Sequence, residues 1–138
     1  MGVEKIEPGN YKEGLRRIRN TRCVVLVFHP QCGHCVELRP KWEAMKQLAN
    51  PNANIVEING SDMHSSREMS ASAVGRGTEG FPSMMLMDKG KIISRYNGER
   101  SPEKLAEFVN QSVARPKSRA RRSKSRPRGK TKKLRRRK

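Results

Sequence analysis

Val24-Val25-Leu26-Val27-Phe28-His29-Pro30-Gln31-Cys32-Gly33-His34-Cys35 carries three signals in succession. The first five residues form a β-branched, nearly continuous apolar run, the signature of a strand covered on both faces, as in the centre of an α/β sheet. His29-Pro30-Gln31 reverses the chain. Two cysteines three positions apart follow, and beyond them Leu38, Trp42, Met45 and Ala49 recur at spacings of four, three and four, which predicts a helix packed on that sheet. Cys32 then falls at the first turn of the helix, where unsatisfied N–H groups and partial positive charge favour a thiolate. Cys35, at i+3, shares that face and can attack a mixed disulfide formed at Cys32. Gly33 completes the motif, and His34 adds a donor near Cys32. A lone C-x-x-C also suits half of a zinc site. A closed site needs four ligands, however, and the spare candidates Cys23, His29 and His64 form no second paired unit, so neither metal nor cofactor is expected.

Outward from this stretch, Tyr11, Leu15 and Ile18 share one face of a helix over 11–20. Pro40 is expected to kink the helix that follows Cys35, and Asn50-Pro51-Asn52 to end it. Ile55 to Ile58 reads as the next strand, Ser65 to Val74 as a weak helix, and Gly75-Arg76-Gly77 as a break. Ser83 to Met87 and Lys91 to Arg95, joined by Asp88-Lys89-Gly90, predict an antiparallel hairpin. Ser101-Pro102 supplies an N-cap and a first-turn proline, and Leu105, Phe108, Val109 and Val113 form the stripe of a last helix. The order predicts an α/β fold, a mixed sheet with helices on both sides. Cys23 at the start of the core strand reads as a small buried apolar residue, and Trp42, Met84, Met85 and Met87 as core.

The matching residues are a strand ending in Phe28, Pro30 two before Cys32-Gly33-His34-Cys35, Pro40, Gly80-Phe81-Pro82-Ser83 and Tyr96-Asn97-Gly98-Glu99-Arg100. On these, residues 1–114 resemble a thioredoxin-fold domain of the protein disulfide isomerase type. The resemblance implies a thiol-disulfide oxidoreductase acting on protein thiols and disulfides, with Cys32 as nucleophile and Cys35 resolving. It implies that Pro82 is cis and faces the dithiol, that the backbone of Gly80, Phe81 and Pro82 holds the substrate strand, and that Arg100 swings towards Cys35. Three departures stand out. Gln31 replaces the family's Trp before the first cysteine, and Val36 its Lys after the second. Leu26 replaces a buried carboxylate, while Glu57 stands where the family has Lys on the next strand. Two readings of Glu57 follow: proton acceptor for Cys35, or a strand residue pointing to solvent.

The chain has 138 residues with 31 Lys plus Arg against 13 Asp plus Glu. Residues 115–138 hold 15 of the bases and no acid, a charge of +15, whereas 1–114 carry 16 bases and all 13 acids, a charge of +3. With Leu134 as its sole large aliphatic residue, 115–138 cannot offset an ordering cost of about 1–2 kcal/mol per residue, and its like charges repel. It reads as a disordered basic arm on a domain spanning 1–114. Arg119, Arg121, Arg122, Lys132, Lys133, Arg135, Arg136 and Arg137, with no aromatic residue among them, suit non-specific neutralisation of nucleic acid or another polyanion. The longest apolar run, Cys23 to Phe28, is too short to span a bilayer, and the polar start lacks the apolar core of a secretory signal. A monomer in cytoplasm or nucleus is therefore expected. The combination also resembles small thioredoxin-like proteins that large DNA viruses pack into virions. The alternative is a nucleic-acid-binding or virion architectural protein with the domain as scaffold.

Overall fold

The computed structural model describes residues 1–113. Strands β1 (Gly2–Ile6), β2 (Arg22–Phe28), β3 (Asn54–Asn59), β4 (Ser83–Asp88) and β5 (Lys91–Arg95) form one sheet in the order β1-β3-β2-β4-β5. β2 lies parallel to β3 and antiparallel to β4, and β4 and β5 make the expected hairpin. Helix α1 (Tyr11–Ile18) precedes β2, α2 (Gly33–Leu48) follows it, and α5 (Pro102–Val109) closes the domain with a single 3₁₀ turn at Asn110–Ser112. This is the thioredoxin fold, a mixed sheet with helices on both faces.

Side-chain alternation along β2 divides the core. Val24 and Leu26 face α2 and α5, packing with Leu38, Trp42, Met45, Leu105 and Phe108. Cys23, Val25 and Val27 face the other side, with Ile6, Tyr11, Ile18 and Met85. Cys23 is fully buried, as a small core residue should be. Ser101 caps α5 by accepting the Lys104 N–H at 3.3 Å, with Pro102 at the first helical position where its missing N–H costs nothing.

β1 carried no legible pattern: it is an edge strand whose residues are mostly exposed, and only Ile6 is buried. Two expectations need correction. Helix α2 runs through Pro40 as one segment. The carbonyl that Pro40 leaves without a partner belongs to Val36, on the exposed face, where water can satisfy it. The stretch from Ser65 is two short helices, α3 (Arg67–Ala71) and α4 (Ala73–Gly77), and the break falls at Ser72. Ser72 caps α4 by accepting the Gly75 N–H at 3.0 Å. Gly75 lies inside α4 because a Cβ there would meet Met69 O at 1.9 Å, so its role is close approach of backbones rather than a break. Among the described residues no helix is long and apolar enough to cross a membrane.

Candidate active site

The turn between Phe28 and Gly33 decides where the dithiol sits. Cys32 is the N-cap of α2, with extended backbone, and its carbonyl accepts the Val36 N–H at 3.1 Å. Its own N–H donates to His29 O at 3.1 Å. All three cysteines are free thiols, Cys32 half-buried and Cys35 buried. The Cys35 backbone N–H, and after it the Cys35 thiol, hold Cys32 below the ordinary thiol value. Burial opposes these two bonds, and the His34 backbone N–H and the Arg100 charge add smaller lowering effects. Cys35 moves the other way. Burial pushes its thiol up to about 11 and Cys32 adds to that, although the His29 N–H, 3.5 Å from Cys35 Sγ, and Arg100 pull it down.

One sulfur is therefore poised for attack and the other stays protonated until it is needed. His34 acts through its backbone: its imidazole is 75% exposed and turned to Glu37, 3.8 Å away, so the side-chain donor expected beside Cys32 is not there. Gly33 borders open space, since a Cβ there would touch nothing. The Arg100 charge favours the thiolate form of both sulfurs, as the smallest of the named effects on each.

The Phe81–Pro82 peptide is cis, and the Cys32 thiol donates to Phe81 O at 3.3 Å. The backbone of Phe81, the residue before the cis peptide, therefore reaches Cys32. A groove of about 230 Å³ is lined by Pro82, Ser83, Asn97, Gly98 and Arg100 among others. A separate cavity of about 390 Å³ beneath α1, lined by Leu15, Ile18 and Val74, contains neither cysteine.

Glu57 does not point to solvent. It is 3% exposed, and α2 supplies its partners: Trp42 Nε1–H donates to Oε2 at 2.9 Å, Lys46 Nζ lies 2.7 Å from Oε2, and Arg39 lies 4.0 Å from Oε1. Burial alone would raise its pKa, but the hydrogen bonds from Lys46 and Trp42 and the Lys46 charge outweigh burial and leave it below its ordinary 4.5. Such a carboxylate, held more acidic than usual, is a poor base for a thiol whose pKa burial raises. Leu26 is the register partner of Glu57 across β2 and β3, so the buried acid sits one strand over from the position the resemblance gave it. Trp42, Lys46 and Arg39 went unnoticed as polar partners. The signal was available: a glutamate inside the apolar strand Ile55-Val56-Glu57-Ile58 demands a counter-ion, and positions 39, 42 and 46 share one helix face. The arm residues from Arg119 to Arg137 lie outside the described residues.

A thiolate-favouring helix N-terminus after a central strand, with a cis-proline loop across from it, defines the thioredoxin class of protein. A family model described as Thioredoxin matches residues 2–111, and the chain belongs to that family. Its relatives are of the protein disulfide isomerase kind. Protein disulfide-isomerase 2-3 of Arabidopsis thaliana is 31% identical over 113 residues, covering 80% of this chain and 24% of that protein. Protein disulfide-isomerase tigA of Aspergillus niger is 33% identical over 87 residues, 61% of this chain and 23% of that protein. The chain thus spans about a quarter of the length of these relatives. Among solved structures, the J-Trx1 fragment of ERdj5 superimposes with a TM-score of 0.63 at 24% identity, over 80% of this chain and 51% of that one, a likeness of fold.

Proposed function

We propose that the chain is a thiol-disulfide oxidoreductase acting on protein cysteines. The observation that carries this reading is the contrast between Cys32, half-buried with a lowered pKa, and Cys35, buried with a raised one, at the end of β2. Cys32 thiolate attacks a substrate disulfide, forming a mixed disulfide and releasing one substrate thiolate. Cys35 then gives up its proton and attacks Cys32 Sγ, releasing the second substrate thiolate. The substrate leaves as a dithiol and the protein as a Cys32–Cys35 disulfide; run backwards, the same two steps oxidise a substrate. Gly80, Phe81 and Pro82 hold the substrate backbone beside Cys32, and Arg100 favours the Cys35 thiolate. Glu57 is a fixed internal anion in this scheme, so Glu57→Gln should leave the resolving step of a single turnover unchanged. A slowed resolving step with the first attack intact would restore Glu57 as a proton acceptor. The overall test is insulin reduction and disulfide formation by the full chain. Turnover that depends on Cys32 supports the reading, and its absence favours the scaffold alternative.

The basic arm, 115–138, is proposed to bind nucleic acid or another polyanion independently of the 1–114 domain, since its +15 charge has no acidic stretch in the domain to neutralise it. If about half of its cations meet phosphates on duplex DNA, log affinity should fall against log salt with a slope of roughly −6 to −7 and little sequence preference. A salt titration of DNA and RNA binding by the full chain and by a chain ending at 114 checks this. Tight binding by the truncated chain, or a flat slope for the full chain, would sink it. A cytoplasmic or nuclear location and packaging in a virion belong to the same proposal, supported by composition and resemblance.

A further inference from the structure

We infer that His29 is a positioning residue of the dithiol, bracing the Cys32 turn and the cis-proline loop against each other. The inference rests on the oxidoreductase reading for its kinetic consequence, but its geometry stands by itself. His29 is the first residue after β2, and four contacts converge on it. Its backbone N–H reaches Cys35 Sγ at 3.5 Å, and its carbonyl accepts the Cys32 N–H at 3.1 Å. Its Nδ1 accepts the Gln31 N–H at 3.1 Å. Its ring packs on Phe81 with centroids 5.4 Å apart and planes tilted by 54°.

The backbone contacts belong to any residue at this position. The two ring contacts belong to histidine. In this arrangement Nδ1 is the acceptor, which leaves Nε2 as the ring's donor atom. The bond to Gln31, two residues on, closes a small side-chain-to-backbone turn directly before Cys32 and fixes the angle at which the N-cap enters α2. The stacking side matters as much. Phe81 also packs closely on Gly60, where a Cβ would meet Phe81 Cε1 at 2.8 Å, so the ring touches both Gly60 and His29. The same residue's carbonyl oxygen accepts from Cys32 Sγ at 3.3 Å.

Three variants of the full chain separate the two ring contacts. His29→Ala removes both, His29→Asn keeps an acceptor for the Gln31 N–H, and His29→Phe keeps a ring against Phe81. The readouts are the rate of mixed-disulfide formation with glutathione disulfide and the rate of Cys32 alkylation by iodoacetamide, with thermal unfolding to confirm the fold. His29→Ala should slow mixed-disulfide formation about tenfold, as expected when a reacting group loses its orientation. His29→Asn and His29→Phe should each recover part of the loss, a graded rescue that general destabilisation does not produce. If His29→Ala fails to fold, the other two variants carry the test, and partial rates in both support the inference. Rates within twofold of the unmodified chain in every folded variant, or equal losses in all three, would overturn it. If the unmodified chain exchanges with no disulfide while its Cys32 alkylation still follows the His29 series, the oxidoreductase reading falls and the positioning role stands.

Discussion

Cys32→Ser should reduce exchange with protein disulfides by about a thousandfold or more, to background, because the attacking atom is gone and Cys35 is buried with its proton tightly held. Cys35→Ser should do something different. The first attack survives, the resolving thiol is missing, and substrate proteins should accumulate as mixed disulfides that a reductant releases. Before any substitution, iodoacetamide near pH 7 should label Cys32 well ahead of Cys35: a thiol below 9.0 against one near 11 differs in thiolate fraction by more than about a hundredfold. Mass spectrometry of the labelled peptides and non-reducing gels of the two variants provide the readouts. Equal labelling, or full activity in Cys32→Ser, removes the assignment.

The second large effect lies under α2 and concerns stability. Lys46→Met leaves the Glu57 carboxylate buried with the Trp42 N–H and a distant Arg39, so unfolding free energy should fall by about 3 kcal/mol, a drop of roughly 15 °C in Tm for a domain of this size. Adding Glu57→Leu should restore part of the loss, because the apolar pair carries no buried charge while the Trp42 N–H is left without its acceptor. Two losses that simply add would mean the groups do not act as a pair. The pH dependence has a definite sign. Glu57 has a depressed pKa in the fold, so its contribution is complete above its ordinary 4.5 and is lost as pH falls through the folded value. Lys46 has a raised one: burial alone would lower it, but Glu57 and Glu43 outweigh burial, so its contribution is complete below 10.5 and fades as pH rises through the folded value. The double variant should therefore lose less stability than the unmodified chain on acidification below pH 4.5.

The strand, turn and helix around the dithiol could be read from the sequence because each level agreed: a β-branched run, a reversal at Pro30, a helical apolar period and cysteines at the helix start. The cap at Ser101 and the hairpin at Lys89-Gly90 were legible for the same reason, since local chemistry alone specifies them. β1 was not, because an edge strand with a mostly exposed surface has no alternation to show. Gly75 misled because close packing and chain breaking both call for glycine, and only the approach of Met69 O distinguishes them. At the site, cysteine spacing revealed the sulfurs. The contact of His29 with Phe81 joins residues 52 positions apart, and no local pattern encodes such a pair, whereas Glu57 inside an apolar strand did signal the need for a cation such as Lys46.

The 3₁₀ turn at Asn110–Ser112 has a consequence for traffic across the molecule. Ser112 Oγ accepts the Asn54 N–H at 2.9 Å, and Gln111 O accepts from Arg22 Nε at 2.8 Å, which fastens this turn to the residues where β3 and β2 begin. The dithiol lies past the opposite tip of β2, and six strand steps separate the two ends by about 20 Å. Whatever follows Val113 is consequently rooted at the pole farthest from Cys32. The chain's exit from its last described turn and the reactive sulfur thus stand at opposite poles of the sheet, and a substrate docking at Cys32 meets no part of that turn.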